Sequence, residues 1–148
     1  MDKVDRKILA LIQKDSRLSC GQIANSVGVS VSTANERIRK LDASKRIRAW
    51  RAVIDPDLAG LHLCAFVLLD MAYENEAENC ASLVALPEVQ ELHHISGARS
   101  YLMKIRVSGT AALQALLRDK IKPLAGAMAT ESMLVLQTEK ETSEMMLP

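Results

Sequence analysis

The sequence predicts an α+β protein of 148 residues: an N-terminal (winged) helix-turn-helix domain, then a ferredoxin-like βαββαβ domain. Three observations predict it. Apolar residues recur at helical spacing through the first forty positions, broken by capping signals. An Asp-Pro pair at Asp55 and Pro56 then introduces runs of strand-forming residues. The charge divides at the same place: residues 1–56 hold 12 Lys and Arg against 6 Asp and Glu, and residues 57–148 hold 7 against 12. A basic half joined to an acidic half implies that only the first meets a polyanion. The expected domains are therefore 1–54, ending in a linker strand, and 55–148.

The elements follow in order. "MDKVDRKILALIQKDS" places Val4, Ile8, Leu11 and Ile12 on one helical face, with Asp2 as N-cap and Asp5 in the first turn. "SCGQIANSVGVS" starts with capping-box spacing, Ser19 and Gln22, and ends at Gly28, the residue that takes a left-handed C′ conformation. Val29 is the expected apolar plug of the turn, and Ser30 caps a third helix. In "SVSTANERIRKL", residues 30–41, Val31, Ala34, Ile38 and Leu41 share a face.

Two short helices joined by a Gly-containing turn form a helix-turn-helix, which lays its second helix in the major groove. Ser32, Thr33 and Asn35 then fall near base edges, where their hydrogen-bonding groups can read sequence, and Ser30 beside them is counted with the DNA-binding residues. Arg37, Arg39 and Lys40 fall near phosphates. Lys45, Arg46 and Arg48 follow in "DASKRIRAWRAVIDP", where Ile47, Ala49, Arg51 and Val53 alternate with Arg48, Trp50, Ala52 and Ile54. That alternation predicts a strand, a basic wing along the backbone. Trp50, the single tryptophan, is expected to pack at a junction or dimer contact.

Past the linker, "HLCAFVLLDMAY" reads as a strand and "NEAENCASLVAL" as a helix with Ala77, Cys80, Ala81 and Val84 inward. "VQELHHIS" and "SYLMKIRV" are strands joined at "GAR". "TAALQALLRDKI" is a helix with Leu113, Leu116, Leu117 and Ile121 inward, stopped by Pro123, and "AMATESMLVLQT" is a last strand. Two helices on one face leave the other face of the sheet bare, so pairing with a second copy is expected.

Composition excludes other classes. Hydrophobic residues at 49% and charged residues at 25% describe an ordinary globular chain, and 3% aromatics give no stacking platform for single strands. Cys20, Cys64 and Cys80 are odd in number and form no CxxC pair, so buried reduced thiols are expected. The longest apolar run, "LCAFVLL", is too short to span a bilayer, and no secretory segment is read, so the cytoplasm is expected and no membrane partner. His93 and His94 alternate on a strand, one expected buried and one exposed, which excludes easy chelation of one ion. No catalytic constellation and no metal site is read.

The chain resembles the Lrp/AsnC ("feast/famine") transcription regulators. The residues that carry the likeness are "VDRKILALIQKDSRLS", "SVSTANERIRKL", "LPEV", Ser96-Gly97, Tyr101 and "TESMLVL", in order over nearly the whole length. The resemblance implies a DNA-binding dimer on a pseudo-palindromic duplex site, assembling further to an octamer. It implies no cofactor, but a small effector, an amino acid or related small carboxylate. Carried over by position, the effector contacts would be Gly97, Ala98, Arg99, Ser100 and Tyr101, with Thr130 and Ser132. Three positions depart from the family pattern. Ser100 stands where an acidic residue is usual, one whose carboxylate would suit an ammonium group, while Arg99 adds a cation that suits a carboxylate. Lys45 replaces a glycine, and "LAGA" at 124–127 replaces proline-glycine-valine. Sirohaem decarboxylase subunits look similar in both domains and are the enzymatic alternative. Their Arg-x-His signature is missing from "ELHHISGARSYLMKI".

Overall fold

The computed structural model describes residues 1–124 and 126–147. Two compact units result: Met1–Val53 together with the segment from Lys140 onward, and Ile54–Glu139. The closing segment thus belongs to the first unit, where Gln13 exchanges two hydrogen bonds with the backbone of Met145, at 3.1 and 2.9 Å.

The first unit is built by its caps. Helix α1 (Lys3–Lys14) starts at Asp2, whose carboxylate accepts the Asp5 N–H at 2.8 Å. Helix α2 (Cys20–Val27) opens with the reciprocal Ser19–Gln22 capping box. It closes at Gly28, φ 76°, whose N–H and that of Val29 both reach the Ala24 carbonyl. Ser30 Oγ accepts the Thr33 N–H at 3.1 Å and starts α3 (Val31–Ala43). Ile8, Ile12, Ile23, Ala24, Ala34, Leu41 and Ile47 form the core, with Val29 and Ile38 packed against it. Val31 does not join them: it is 55% exposed, because it sits in the first turn of α3, at the rim of that core.

Helix α3 ends in a Schellman motif. The Arg46 N–H reaches the Leu41 carbonyl at 3.0 Å and the Lys45 N–H reaches that of Asp42 at 2.9 Å. Lys45 occupies the left-handed position of this motif, φ 58°. This explains the family glycine there: a Cβ is unfavourable at positive φ.

Residues 47–54 form no strand, contrary to the alternation in the sequence. Ile47 is buried, but Trp50 is 46%, Ile54 67% and Val53 97% exposed. Alternation describes what a strand would present on its two faces. It supplies no partner edge, and among the described residues no backbone hydrogen bond reaches residues 48–54.

The second unit has the expected order: β1 (Leu63–Met71), α4 (Glu76–Val84), β2 (Val89–His94), β3 (Tyr101–Val107), α5 (Thr110–Leu116) and β4 (Ala127–Leu134). The sheet is antiparallel in the order β2-β3-β1-β4. Ala65, Val67, Leu69 and Met71 of β1 and Tyr101, Met103, Ile105 and Val107 of β3 bury one face against Leu83, Leu113, Leu116 and Ile121. Phe66, Leu68 and Leu102 on the other face stay half-buried. The last helix relaxes into a π-helical turn at Leu117–Ile121. Within 124–127, Ala125 lies outside the described residues. Gly126 has φ 87° and an added Cβ would stand 3.2 Å from that of Ala72, so a side chain there would be strained.

Three expectations need correction. Helix α4 turns Asn79 and Leu83 inward, flanked by Glu76 and Cys80, while Val84 is 66% exposed. Leu83 and Cys80 pack on the sheet core from that face, and Glu76 meets the Tyr101 hydroxyl. His93 and His94 are both exposed, because β2 is an edge strand. Of the three thiols only Cys64 is fully buried.

Replacing Lys45 by Gly relieves the left-handed strain at the end of α3. We expect a gain of about 0.5–1 kcal/mol in urea unfolding at fixed protein concentration.

Candidate functional site

The first candidate site is the outer face of α3. Ser32, Asn35, Glu36 and Arg39 recur at i, i+3, i+4 and i+7 and form one exposed stripe opposite the buried Ala34 and Leu41. Ser30 Oγ is within 2.9 Å of Ser32 Oγ and 2.8 Å of Thr33 Oγ1, so three hydroxyls cluster at the N-terminus of the helix. Asn35 is within 3.9 Å of the Cys20 thiol, which donates to its side-chain oxygen. These groups offer both donors and acceptors at one helix end.

The basic residues separate into two kinds. Arg37 is turned back onto α1, where its Nη1 donates to Asp2 Oδ2 at 2.5 Å and to Asp5 Oδ1 at 2.8 Å. Its guanidinium is raised above its ordinary value by Asp2 first and Asp5 second. Arg37, expected at phosphates, has its charge answered within the unit by these two carboxylates. Lys40 pairs with Glu36 at 2.6 Å, with both side chains well exposed, a contact that a phosphate can replace at little cost. Glu36 is the residue sequence reasoning passed over, and its spacing to Lys40 was the available signal. Arg39, Lys45, Arg46 and Arg48 are exposed and, among the described residues, lack an acidic partner.

Asp5, Thr33, Glu36, Arg37, Lys40 and Arg46 are among the residues around an open cavity of about 710 Å³ on the flank of α3. Its walls carry both signs of charge and, apart from Glu36, lie beside the outer stripe and not on it.

The second candidate site lies at the β2–β3 turn. Residues Leu68, Ile95, Ala98, Arg99 and Glu131 line a shallow cavity of about 450 Å³. The turn closes through the Ile95 N–H and the Ser100 carbonyl at 2.9 Å, with Gly97 at φ 135°. Arg99 Nη1 donates to Asp70 Oδ2 at 2.6 Å, and the Ser100 N–H donates to Asp70 Oδ1 at 3.2 Å. The Arg99 guanidinium is raised above its ordinary value by the Asp70 hydrogen bond first, then by the charges of Asp70 and Glu131.

Strand parity sorts the residues carried over by resemblance. Leu69 pairs with Tyr101 and with Thr130, and Val67 pairs with Ser132. All five therefore belong to the helix-covered side. Leu68 pairs with Glu131 and belongs to the cavity side. So Ala98 and Arg99 line the cavity, Gly97 and Ser100 shape its turn, and Tyr101, Thr130 and Ser132 lie away from it. Tyr101 is instead buried, donating its hydroxyl to Glu76 Oε1 at 2.6 Å and stacking on His94 with ring centroids 4.8 Å apart. The Cys80 thiol first, then Glu76 and burial, push its ionisation well above the usual phenol range. Asp70 and Glu131 were not read from the sequence, since only the register of β1 brings them to the turn.

The chain matches two family descriptions: "Winged helix-turn-helix DNA-binding" over residues 1–48 and "Lrp/AsnC ligand binding domain" over residues 64–145. It is 34% identical over 145 residues to the HTH-type transcriptional regulator FL11 of Pyrococcus abyssi, covering 98% of this chain and 95% of that one. It is 30% identical over 150 residues to the leucine-responsive regulatory protein of Salmonella typhimurium, covering 99% and 92%. Among solved structures, the L-Met complex of a Neisseria meningitidis transcriptional regulator superposes with a TM-score of 0.93 at 26% identity, over 98% of this chain and 96% of that one. The E. coli AsnC structure gives 0.89 at 26% identity, over 97% of each. These names describe transcriptional regulators, and the sirohaem decarboxylase alternative finds no support among them. Among the described residues no helix is long and apolar enough to cross a membrane.

The Arg37 clamp makes a pH prediction. Asp2 is held below its ordinary carboxylate value of 3.8, by the Asp5 N–H first and Arg37 second. A depressed carboxylate contributes stability that is fully present above its unfolded value and is lost as pH falls through its folded value. We expect unfolding to become easier below about pH 4. Asp2→Asn should be weaker at pH 7 and flatter across that acid range in urea titrations. Arg37→Ala should lower Tm, whereas Arg39→Ala should leave it unchanged.

Proposed function

This chain belongs to the Lrp/AsnC family of transcriptional regulators, and we propose from that premise that α3 reads a pseudo-palindromic duplex while the turn at Gly97 senses a small metabolite. The observation that carries the first part is the outer stripe of α3. Ala34, Ile38 and Leu41 are taken up by the core and Arg37 by α1, which leaves Ser32, Asn35 and Arg39 exposed on the outer face. Ser30, Ser32, Thr33 and Asn35 take the base edges, and Arg39, Lys40, Lys45, Arg46 and Arg48 take phosphates.

The working unit is at least a dimer, and an octamer is the family form. Residues 48–54 support pairing, since among the described residues no backbone hydrogen bond reaches them and they carry the exposed Trp50, Val53 and Ile54. A twofold places two recognition helices on successive major grooves, about 34 Å apart. The compartment is the cytoplasm, where the DNA is.

The effector belongs to the amino-acid class. A structural relative is seen with L-Met and a sequence relative is named for leucine. The cavity at the Gly97 turn is of a size that takes such a molecule. Which amino acid it takes is addressed below.

Fluorescence anisotropy on a selected duplex tests the DNA assignment. Affinity should fall linearly with the logarithm of salt concentration, and Arg39→Ala should reduce that slope by about 0.9. Ser32→Ala and Asn35→Ala should erode discrimination between sites by about 1–3 kcal/mol and leave the slope intact. Salt-independent binding to every duplex would overturn the assignment.

A further inference from the structure

We propose that Glu131 and Arg99 are the two charged anchors of the effector, gripping the ammonium and the carboxylate of an α-amino acid with an uncharged apolar side chain. This rests on the reading that the effector occupies the β2–β3 turn. The turn from Ser96 to Ser100 carries no carboxylate of its own, so an ammonium there needs a partner from another element. The cavity provides one from a different strand: Glu131 of β4 lines it together with Arg99.

The two walls are chemically complementary to a zwitterion. Asp70 occupies Nη1 of Arg99 at 2.6 Å and so fixes the guanidinium without using its other donors. A guanidinium has five N–H groups in a planar fork, suited to a carboxylate. Asp70 is therefore a positioning residue that aims Arg99. Leu68, Ile95 and Ala98 give the rest of the lining, which suits an apolar side chain. Two carboxylates face one guanidinium in this corner, a net negative charge. An anion without an ammonium group, such as a 2-oxo acid, would meet that field unfavourably, whereas a zwitterion leaves it unchanged.

The experiment uses the full-length protein in calorimetric titrations with each of the twenty amino acids. The amino acid that binds is then compared with its desamino acid, which lacks the ammonium, and its carboxamide, which lacks the carboxylate. Glu131→Gln should weaken the amino acid and the carboxamide by about tenfold or more, while the desamino acid, relieved of one repelling carboxylate, binds no worse. Asp70→Asn should weaken the amino acid and the desamino acid, and leave the carboxamide unchanged, a split that general loosening of the sheet would not produce. Ala98→Phe, at an exposed position, fills the cavity and should abolish all three.

Each failure has its own meaning. If Glu131→Gln binds the amino acid as the original protein does while Ala98→Phe does not, the site stands and this assignment of anchors is overturned. If Ala98→Phe still binds, the effector lies elsewhere and both readings fall. Binding confined to amino acids with charged side chains, or to none of the twenty, also overturns the proposal.

Discussion

Arg37 is bound by Asp2 and Asp5, and this contact governs how α3 is presented. The core beneath the three helices is small and contains two alanines, Ala24 and Ala34, so shape alone constrains the helix weakly. One guanidinium donating to two carboxylates adds a directional constraint that apolar contacts lack. Asp2 serves both ends of the arrangement: one oxygen caps α1 and the other receives Arg37. The start of α1 and the middle of α3 are thereby tied through a single side chain. A cation within a basic helix thus ties that helix to its neighbour, and the outward stripe is oriented by the same contact.

The features legible in the sequence were those whose cause is local. The Ser19–Gln22 box, the Gly28 turn and the Ser30 cap each need only a few neighbouring residues, and each stands where the spacing put it. The βαββαβ order was equally legible, because strand and helix periods differ. What failed depended on distant partners. Residues 47–54 had the alternation of a strand but no edge to join. Helix α4 had an apolar stripe at Ala77 and Val84, yet it turned Glu76 and Asn79 inward, since Glu76 meets the Tyr101 hydroxyl from another element. Parity explains the candidate effector residues: a shift of one position along β4 exchanges Thr130 and Ser132 for Glu131, and only the pairing with Leu68 decides which faces the cavity.

The departure at Lys45 shows both kinds of information at once. The sequence revealed that a glycine was missing, and the backbone revealed why a glycine belongs there, with φ at 58°. The departure at Ser100 has a different character. It removes a charge from the turn, while Asp70 reaches the same turn from β1 and takes the Ser100 N–H. Electrostatic roles can thus move between strands that are adjacent in the sheet and far apart in the chain, which a position-by-position comparison does not register.

The segment at residues 48–54 has a consequence for how the isolated chain behaves on heating. Trp50, Val53 and Ile54 are exposed, and among the described residues no backbone hydrogen bond reaches the segment. Backbone left open beside apolar side chains can pair with a strand from another chain. Where nothing covers it, the segment makes the chain adhesive rather than dormant, and association competes with the unfolding of its two cores.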